Sequence, residues 1–442
     1  MKKWIITLFL ALAAIALLPV FSLNCEAASK KVEIYGNKIS VNTEKICFIA
    51  SDESDLEFYM GLYTDGSYKR YYVVPKDTVI DCKQIAAKFP KLKRLTVIYG
   101  GITNVPSLSK LEQFRKLELY NCDGTENLSF LKKLPKLTMF HYVNWDCESL
   151  KYLKYLPELT DLEIHAGNEV LKTLAPIKNL KKLKKLDIRA TCENLDEIAG
   201  LTSLTHLKLN LPTAKNISAV ANFKNLVEFE FSTCNIKMDI SPIGGLKKLK
   251  RVYLQNDVKS LEPLKKLKNV EKLGLYNFAY TYDISTSEIK EIVSGMTGLK
   301  ELTLLNCDIY DCKFLSGLKK LTALSLDMNH IRSLEGLEGL KKLKYLSLNY
   351  YDGGVNKLDL TPLKNLTKLE SLGLASNRID DISPLGNLVN LEWLGLSETG
   401  TENLKPLLKL KNLKRLVIYR CADREGLEAF REKYPDCEII DG

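Results

Sequence analysis

Apolar residues along this chain keep returning to one pattern. The motif L-x-x-L-x-L, with Phe or Val in some copies, starts at Leu92, Phe114, Leu137, Leu159, Leu183, Leu204, Leu226, Leu249, Val270, Leu299, Leu321, Leu343, Leu369, Leu391 and Leu413. These fifteen copies are spaced by 21–24 residues, apart from one step of 29 and one of 26. A fixed period of that length marks a solenoid, in which a repeat buries its leucines only by stacking on its neighbours. In the copy Leu369 to Ile379, alternation predicts a short strand with Leu372 and Leu374 inward. Asn377 turns the chain, its amide placed to bond backbone groups of neighbouring turns. Ile379 and Ile382 point inward again, and Ser383-Pro384-Leu385 starts the return path, where proline suits a first helical position. Similar steps occur at Pro176, Pro242, Pro263, Pro362 and Pro406. Each return has only about ten residues, which predicts 3-10 or one- to two-turn helices. The expected fold is therefore α/β: a right-handed leucine-rich-repeat solenoid, a horseshoe with a concave parallel β-sheet and a convex side of 3-10 and short helices.

The ends and the two long steps read differently. Met1-Lys2-Lys3, the apolar run from Trp4 to Leu18 and the small residues around Cys25-Glu26-Ala27 predict a signal peptide over 1–27, cut after Ala27. An uncleaved anchor helix to Leu23, broken by Pro19, and a lipid-modified Cys25 are the other readings. Residues 28–91 are expected to cap the stack: a strand at Thr43–Phe48, a hairpin from Leu56 to Val74 and a short helix at Ile85–Phe89. Repeats then fill 92–412 in fourteen copies, and 413–442 hold the last repeat and a C-terminal cap. That cap presents Leu427, Phe430 and Tyr434 on one helix face, then an edge strand at Cys437–Ile440. In the 29-residue step, Ser285-Thr-Ser-Glu288 has capping-box spacing, and Ile289, Ile292, Val293 and Met296 predict a true α-helix. The 26-residue step inserts an exposed loop around Tyr350 to Gly354.

The run Asp380-Asp381-Ile382-Ser383-Pro384-Leu385-Gly386-Asn387-Leu388-Val389-Asn390-Leu391 resembles the bacterial leucine-rich repeats of the internalin type. The resemblance spans about residues 92–440. It implies a solenoid whose concave face binds another macromolecule, and it carries over no particular ligand residue. The chain stops at Gly442 without a wall-sorting signal or further modules, so a secreted, soluble form is expected.

Composition adds limits. Of 442 residues, 64 are Lys or Arg and 54 Asp or Glu, a net charge of +10 that does not by itself argue for nucleic acid. Lysine runs such as Lys181-Lys182-Leu183-Lys184-Lys185 follow the repeat spacing and read as solvated edges, with charge contact to anionic cell-wall polymers as a further expectation. Four histidines leave little for imidazole catalysis, and no Gly-rich phosphate loop or C-x-x-C pair occurs. No cofactor and no enzymatic activity are expected. Cys122, Cys234, Cys307 and Cys421 all occupy the turn position of Asn329 and Asn377. In a stack with strands about 4.8 Å apart, the closest two of the four are too distant for a disulfide. Cys47 with Cys82 and Cys307 with Cys312 stay open as pairs.

The repeat register also names the solvent-facing residues. Four residues after each anchor, the middle row reads Thr96, Glu118, His141, Glu163, Asp187 and Lys208 in the N-terminal half. It continues as small residues (Gly274, Thr303, Ser325, Ser347, Gly373, Gly395) in the C-terminal half. In the charged half, Glu118, His141, Glu163 and Asp187 are candidate partner-binding residues. His141, Glu163 and His165 are the sharpest alternative as a metal site, set against a solvated charge ladder balanced by Lys185, Arg189 and Lys208; the reading taken is no metal. In the other half, Tyr276, Tyr345, Asn349, Tyr350, Trp393 and Tyr419 rim a shallow floor of small side chains, aromatic rims being frequent binding hot spots. The expected function is an exported, monomeric, non-enzymatic scaffold that binds a protein or glycan, not nucleic acid. A structural envelope protein held by charge or an anchor, without a specific ligand, is the alternative.

Overall fold

In the computed structural model, the described residues are 31–51, 71–166, 170–233, 237–255, 258–280, 284–350, 357–420 and 423–441. The signal segment, most of the predicted 56–74 hairpin, the loop after Tyr350 and two of the four turn-position cysteines, Cys234 and Cys421, lie outside them. The chain groups into two compact units, Met1–Leu209 and Asn210–Gly442.

The first unit opens with a hairpin not anticipated from the pattern. β1 (Lys31–Ile34) and β2 (Asn37–Ser40) pair antiparallel, joined through Tyr35 and Gly36, both left-handed as a two-residue hairpin turn requires. β3 (Lys45–Ala50) is the degenerate repeat strand; it pairs in parallel with β4 (Tyr72–Val74) and with β6 (Arg94–Ile98). Between them, β5 (Val79–Asp81) pairs with β7 (Gly101–Thr103) away from the main sheet. Helix α1 (Cys82–Lys88), capped by Asp81 accepting from the Lys83 N–H, buries Cys82 and Ile85 under the first repeat. The ladder then runs in parallel through β8 (Lys116–Tyr120), β9 (Met139–Asn144), β10 (Asp161–Ala166) and β11 (Lys185–Arg189), followed by β12 (His206–Asn210).

The second unit repeats the scheme: β13 (Glu228–Ser232), β14 (Arg251–Gln255), β15 (Lys272–Tyr276), β16 (Glu301–Leu305), β17 (Ala323–Ser325), β18 (Tyr345–Ser347), β19 (Ser371–Gly373), β20 (Trp393–Gly395), β21 (Arg415–Val417) and β22 (Glu438–Ile440) form one parallel ladder. Partners pair at equal distance from their anchors, so the register read from the leucines is the register of the sheet.

The returns are 3-10 for a reason visible in the spacing. Ile382, Leu385, Leu388 and Leu391 are three apart, and the amides of the last three each bond the carbonyl three residues back, at 3.0, 2.9 and 2.9 Å. A three-residue turn eclipses such positions on one side, which faces the core. These leucines are fully buried, and each stabilises the stack by roughly 1.5–3 kcal/mol. The exceptions are α1, α2 (Thr286–Ser294) in the 29-residue step, and α3 (Arg424–Lys433), which buries Leu427 and Phe430 over the last repeat. Among the described residues, no helix is long and apolar enough to cross a membrane. Parallel strands, 3-10 returns and the leucine period make the protein a leucine-rich-repeat solenoid.

Candidate functional site

Strand pleating turns alternate residues away from the leucine core, and on the first unit this gathers charge. Glu118, His141, Glu163 and Asp187 are direct neighbours on four successive strands. The two ends of this row differ. Glu118, expected to be open to a partner, is 1% exposed; Thr96, beside it, is also buried. Arg94, 4% exposed, forks onto Glu118 with its Nε at 3.0 Å and Nη2 at 2.6 Å, and the Thr96 hydroxyl donates to the same carboxylate. Glu118 is therefore spent on a buried ion pair. The pairing is legible only from Arg94 standing two residues after its anchor, one strand from Glu118.

His141 sits in the middle of the acids. Its Nε2 donates to Asp161 Oδ1 at 3.0 Å, and its Nδ1 lies 3.4 Å from both Glu118 Oε1 and Glu163 Oε2. Burial pushes the imidazole pKa down, but the Asp161 hydrogen bond and the charges of Glu163, Asp161 and Glu118 outweigh it, leaving the ring more basic than usual. Asp161 is the mirror image: burial raises it, while His141 and Lys185 hold it below the carboxylate norm. Glu163 is pushed up, first by burial and then by Asp187 across the strand. Further along, His165 Nε2 donates to Asp187 Oδ1 at 3.1 Å, and Lys208 approaches Asp187 Oδ2 at 3.6 Å. Arg189 stacks over Trp145 at 5.1 Å from the ring centre. The structure thus does not place His141 and His165 around one point. It places Glu163, His165 and Asp187 together, their ligand atoms within 4.8 Å of one another.

On the second unit the small-residue floor is not bare. A Cβ on Gly274 would meet the Tyr276 hydroxyl at 2.6 Å and the Tyr253 ring at 2.8 Å; one on Gly373 would meet Asn349 at 2.8 Å; one on Gly395 would meet the Trp393 ring at 2.7 Å. The glycines exist to let these side chains lie flat across the strands, and Tyr276 and Asn349 are half-buried by doing so. Tyr345 at 37% and Tyr419 at 42% stay open, Trp393 partly so. Tyr350 leaves this floor: its hydroxyl bonds His330 Nδ1 at 2.9 Å, and the His330 ring stacks on Tyr310 at 5.5 Å. Arg332 covers the Tyr310 ring. Under the floor, Asp327 accepts from the Ser347 hydroxyl at 2.5 Å, the Asn349 N–H at 2.7 Å and the Ser325 hydroxyl at 3.2 Å. Position six after the Leu321 anchor held the signal for this network: an Asp two residues after Ser325, whose cross-strand neighbour is Ser347.

At the strand-entry edge of the same unit, Lys247, Lys248, Lys250, Lys268, Lys300 and Lys320 line a cleft of about 680 Å³, with Glu271 as its single carboxylate. Lys300 pairs with that carboxylate at 2.8 Å.

Of the cysteines at the asparagine position, the two among the described residues, Cys122 and Cys307, are buried free thiols. Asn377 donates to the carbonyls of Leu348 at 2.8 Å and Leu374 at 2.9 Å, one of them in the preceding repeat. Cys307 puts its thiol on Leu275 O at 3.3 Å, the register of Leu348 in the preceding repeat, and on Leu305 O at 3.4 Å, the register of Ala375, whose carbonyl Asn377 also reaches. All eight described cysteines, Cys47, Cys82, Cys307 and Cys312 included, are buried free thiols.

No protein-family model matches the chain. One curated protein, described as an adenylate cyclase regulatory protein of Trypanosoma equiperdum, is 29% identical over 203 residues; the alignment takes in 45% of this chain and only 31% of that protein. Among solved structures, an internalin of Listeria monocytogenes is 22% identical, with a TM-score of 0.46 over 75% of this chain and 88% of its own. A leucine-rich-repeat protein of Leptospira interrogans is 20% identical, with a TM-score of 0.48 over 80% of this chain and 90% of its own.

Proposed function

We propose that this protein is an exported, non-enzymatic recognition scaffold that binds a protein partner through the solvent-facing side of its repeat sheet. The observation that carries the reading is the exposure of Tyr345, Trp393 and Tyr419 on a sheet that already holds them. Trp393 lies over Gly395 in the free protein, so little side-chain freedom is lost on binding, and aromatic anchors fixed in this way dominate interface energies. Glu163 and Asp187 supply a second, polar patch on the first unit. The bacterial, internalin-type assignment rests on the repeat at Asp380 to Leu391, and export on the segment 1–27. An open strand face excludes no water, which disfavours catalysis there.

The lysine-lined cleft favours a second reading, retention on an anionic polymer of the envelope without a specific partner. One experiment separates the two: capture from the producing cell's envelope fraction by wild type, Trp393→Ala and Tyr345→Ala, at low and high salt. On the scaffold reading each variant loses about 1–3 kcal/mol of affinity for a salt-resistant partner, with its melting temperature unchanged. Capture kept by both variants but abolished by salt supports the polymer reading and removes this face as the site.

A further inference from the structure

Glu163, His165 and Asp187 differ from the rest of the charged row in how their charge is balanced. Glu118 has Arg94, and Asp161 has His141 at 3.0 Å and Lys185 at 3.8 Å. The one ion-pair partner of Glu163 among the described residues is His141 Nδ1 at 3.4 Å, an imidazole already shared with Glu118 and Asp161. Arg189, the cross-strand neighbour of His165, is turned onto Trp145 and not onto the acids. Two carboxylates and an imidazole are left converging, with Lys208 approaching the other oxygen of Asp187 at 3.6 Å.

We propose that Glu163, His165 and Asp187 bind a first-row divalent transition metal, with zinc the best fit. The ligand atoms lie within 4.8 Å of one another. The separation of 3.1 Å between His165 Nε2 and Asp187 Oδ1 is the distance two ligands take around an ion with bonds of about 2.0–2.2 Å. On binding, the ion takes the place of that hydrogen bond at Nε2, and the neutral imidazole carries its single ring proton on Nδ1. Glu163 and Asp187 stand opposite each other on β10 and β11, and His165 follows two residues along β10, so all three donors rise from paired backbone, not from a loop. His141, hydrogen-bonded to Asp161, steadies Glu163 from the far side, the outer support that metal-binding carboxylates commonly have. An imidazole nitrogen in the set disfavours calcium and magnesium, which take oxygen ligands. Three protein donors on an open face leave at least one coordination position to solvent. The inference does not depend on the partner reading above.

The test is calorimetry of the full-length protein with zinc chloride and, separately, calcium chloride, repeated on His165→Ala, Asp187→Asn and, as a control elsewhere on the chain, His330→Ala. One zinc per chain is expected, weakened at least about tenfold in the first two variants and unchanged in the control. Zinc should raise the melting temperature of the wild type and not that of His165→Ala, which keeps the result readable if a variant is itself less stable. Cobalt(II) in place of zinc should give a visible absorption band that His165→Ala lacks. Absence of zinc binding, calcium binding as tight as zinc, or zinc affinity unchanged from the wild type in both site variants overturns the proposal.

Discussion

At Asp327 a carboxylate lies beneath the solvent-facing row of the second unit and holds it together through three accepted hydrogen bonds. Burial is the leading influence on its pKa and raises it; the bonds from Ser347, Asn349 and Ser325 only partly offset this. The folded state therefore keeps a proton that the unfolded chain has released. Between the usual carboxylate value of 3.8 and the raised one, stability falls as pH rises, and above that window the loss is complete. Asp327→Asn cannot ionise, and its amide oxygen can still accept from Ser347 and the Asn349 N–H. Its melting temperature should equal or exceed that of the wild type at neutral pH, with the advantage shrinking as pH falls through that window and gone below the usual carboxylate value of 3.8. Asp327→Ala leaves the Ser347 hydroxyl and the Asn349 amide without their acceptor and should cost about 1–3 kcal/mol in a denaturant titration. A variant advantage that grows on acidification would contradict the assignment. Parity puts the acid on the solvent-facing side with Ser325, two residues before it; its burial comes from Ser347 and Asn349 on the next strand, which the pattern does not foretell.

At the scale of elements, α2 shows a local signal used in two ways. Ser285 caps the helix as the capping-box pattern predicts, accepting from the Glu288 N–H at 3.1 Å. Glu288 does not reach back to Ser285. Its carboxylate accepts from the Leu261 N–H at 2.8 Å and the Ser260 hydroxyl at 3.0 Å, tying the helix to the repeat before it. Ser285→Ala should cost about 1 kcal/mol, the usual worth of an N-cap. Glu288→Ala should cost more, about 1–3 kcal/mol, because it strips the acceptor from a charge-assisted bond to a half-buried amide. Equal losses in chemical denaturation would mean that the inter-repeat bond adds nothing. The same contrast explains the returns elsewhere: three-residue leucine spacing selects 3-10 turns, and a longer step with four-residue spacing selects a helix.

At the scale of the whole molecule, thiols report on how the chain holds together. Removal of residues 1–27 would leave ten of the 11 cysteines, an even count that in a secreted chain suggests a disulfide framework, yet the eight described thiols are all free and packed in the core. Burial pushes Cys47 and Cys307 up to about 12 and holds Cys122 and Cys312 well above the ordinary thiol value. In the native protein these cysteines should resist alkylation at neutral pH, since the thiolate is the reacting form. Unfolded in denaturant without reductant, each should take one label by mass spectrometry, and reductant should leave the melting temperature unchanged. An unlabelled pair would overturn the free-thiol assignment.

The leucine period by itself determined the fold class, the sheet register, the 3-10 returns and the asparagine-or-cysteine turn, because each depends on spacing within one repeat or on identical spacing in the next. It also determined which residues face solvent, since pleating converts sequence parity into sidedness. Tertiary structure alone decided what those residues do once there. Arg94 closes over Glu118 and removes it from the surface; Trp393 and Tyr276 fold across glycines that looked like open floor; His141 is drawn to Asp161, away from His165; and the β1–β2 hairpin, too short to carry a period, forms ahead of the first repeat. In each case the outcome is set by side chains from different strands competing for the same few ångströms. Periodicity places such residues side by side, but burial, charge and shape choose among their contacts.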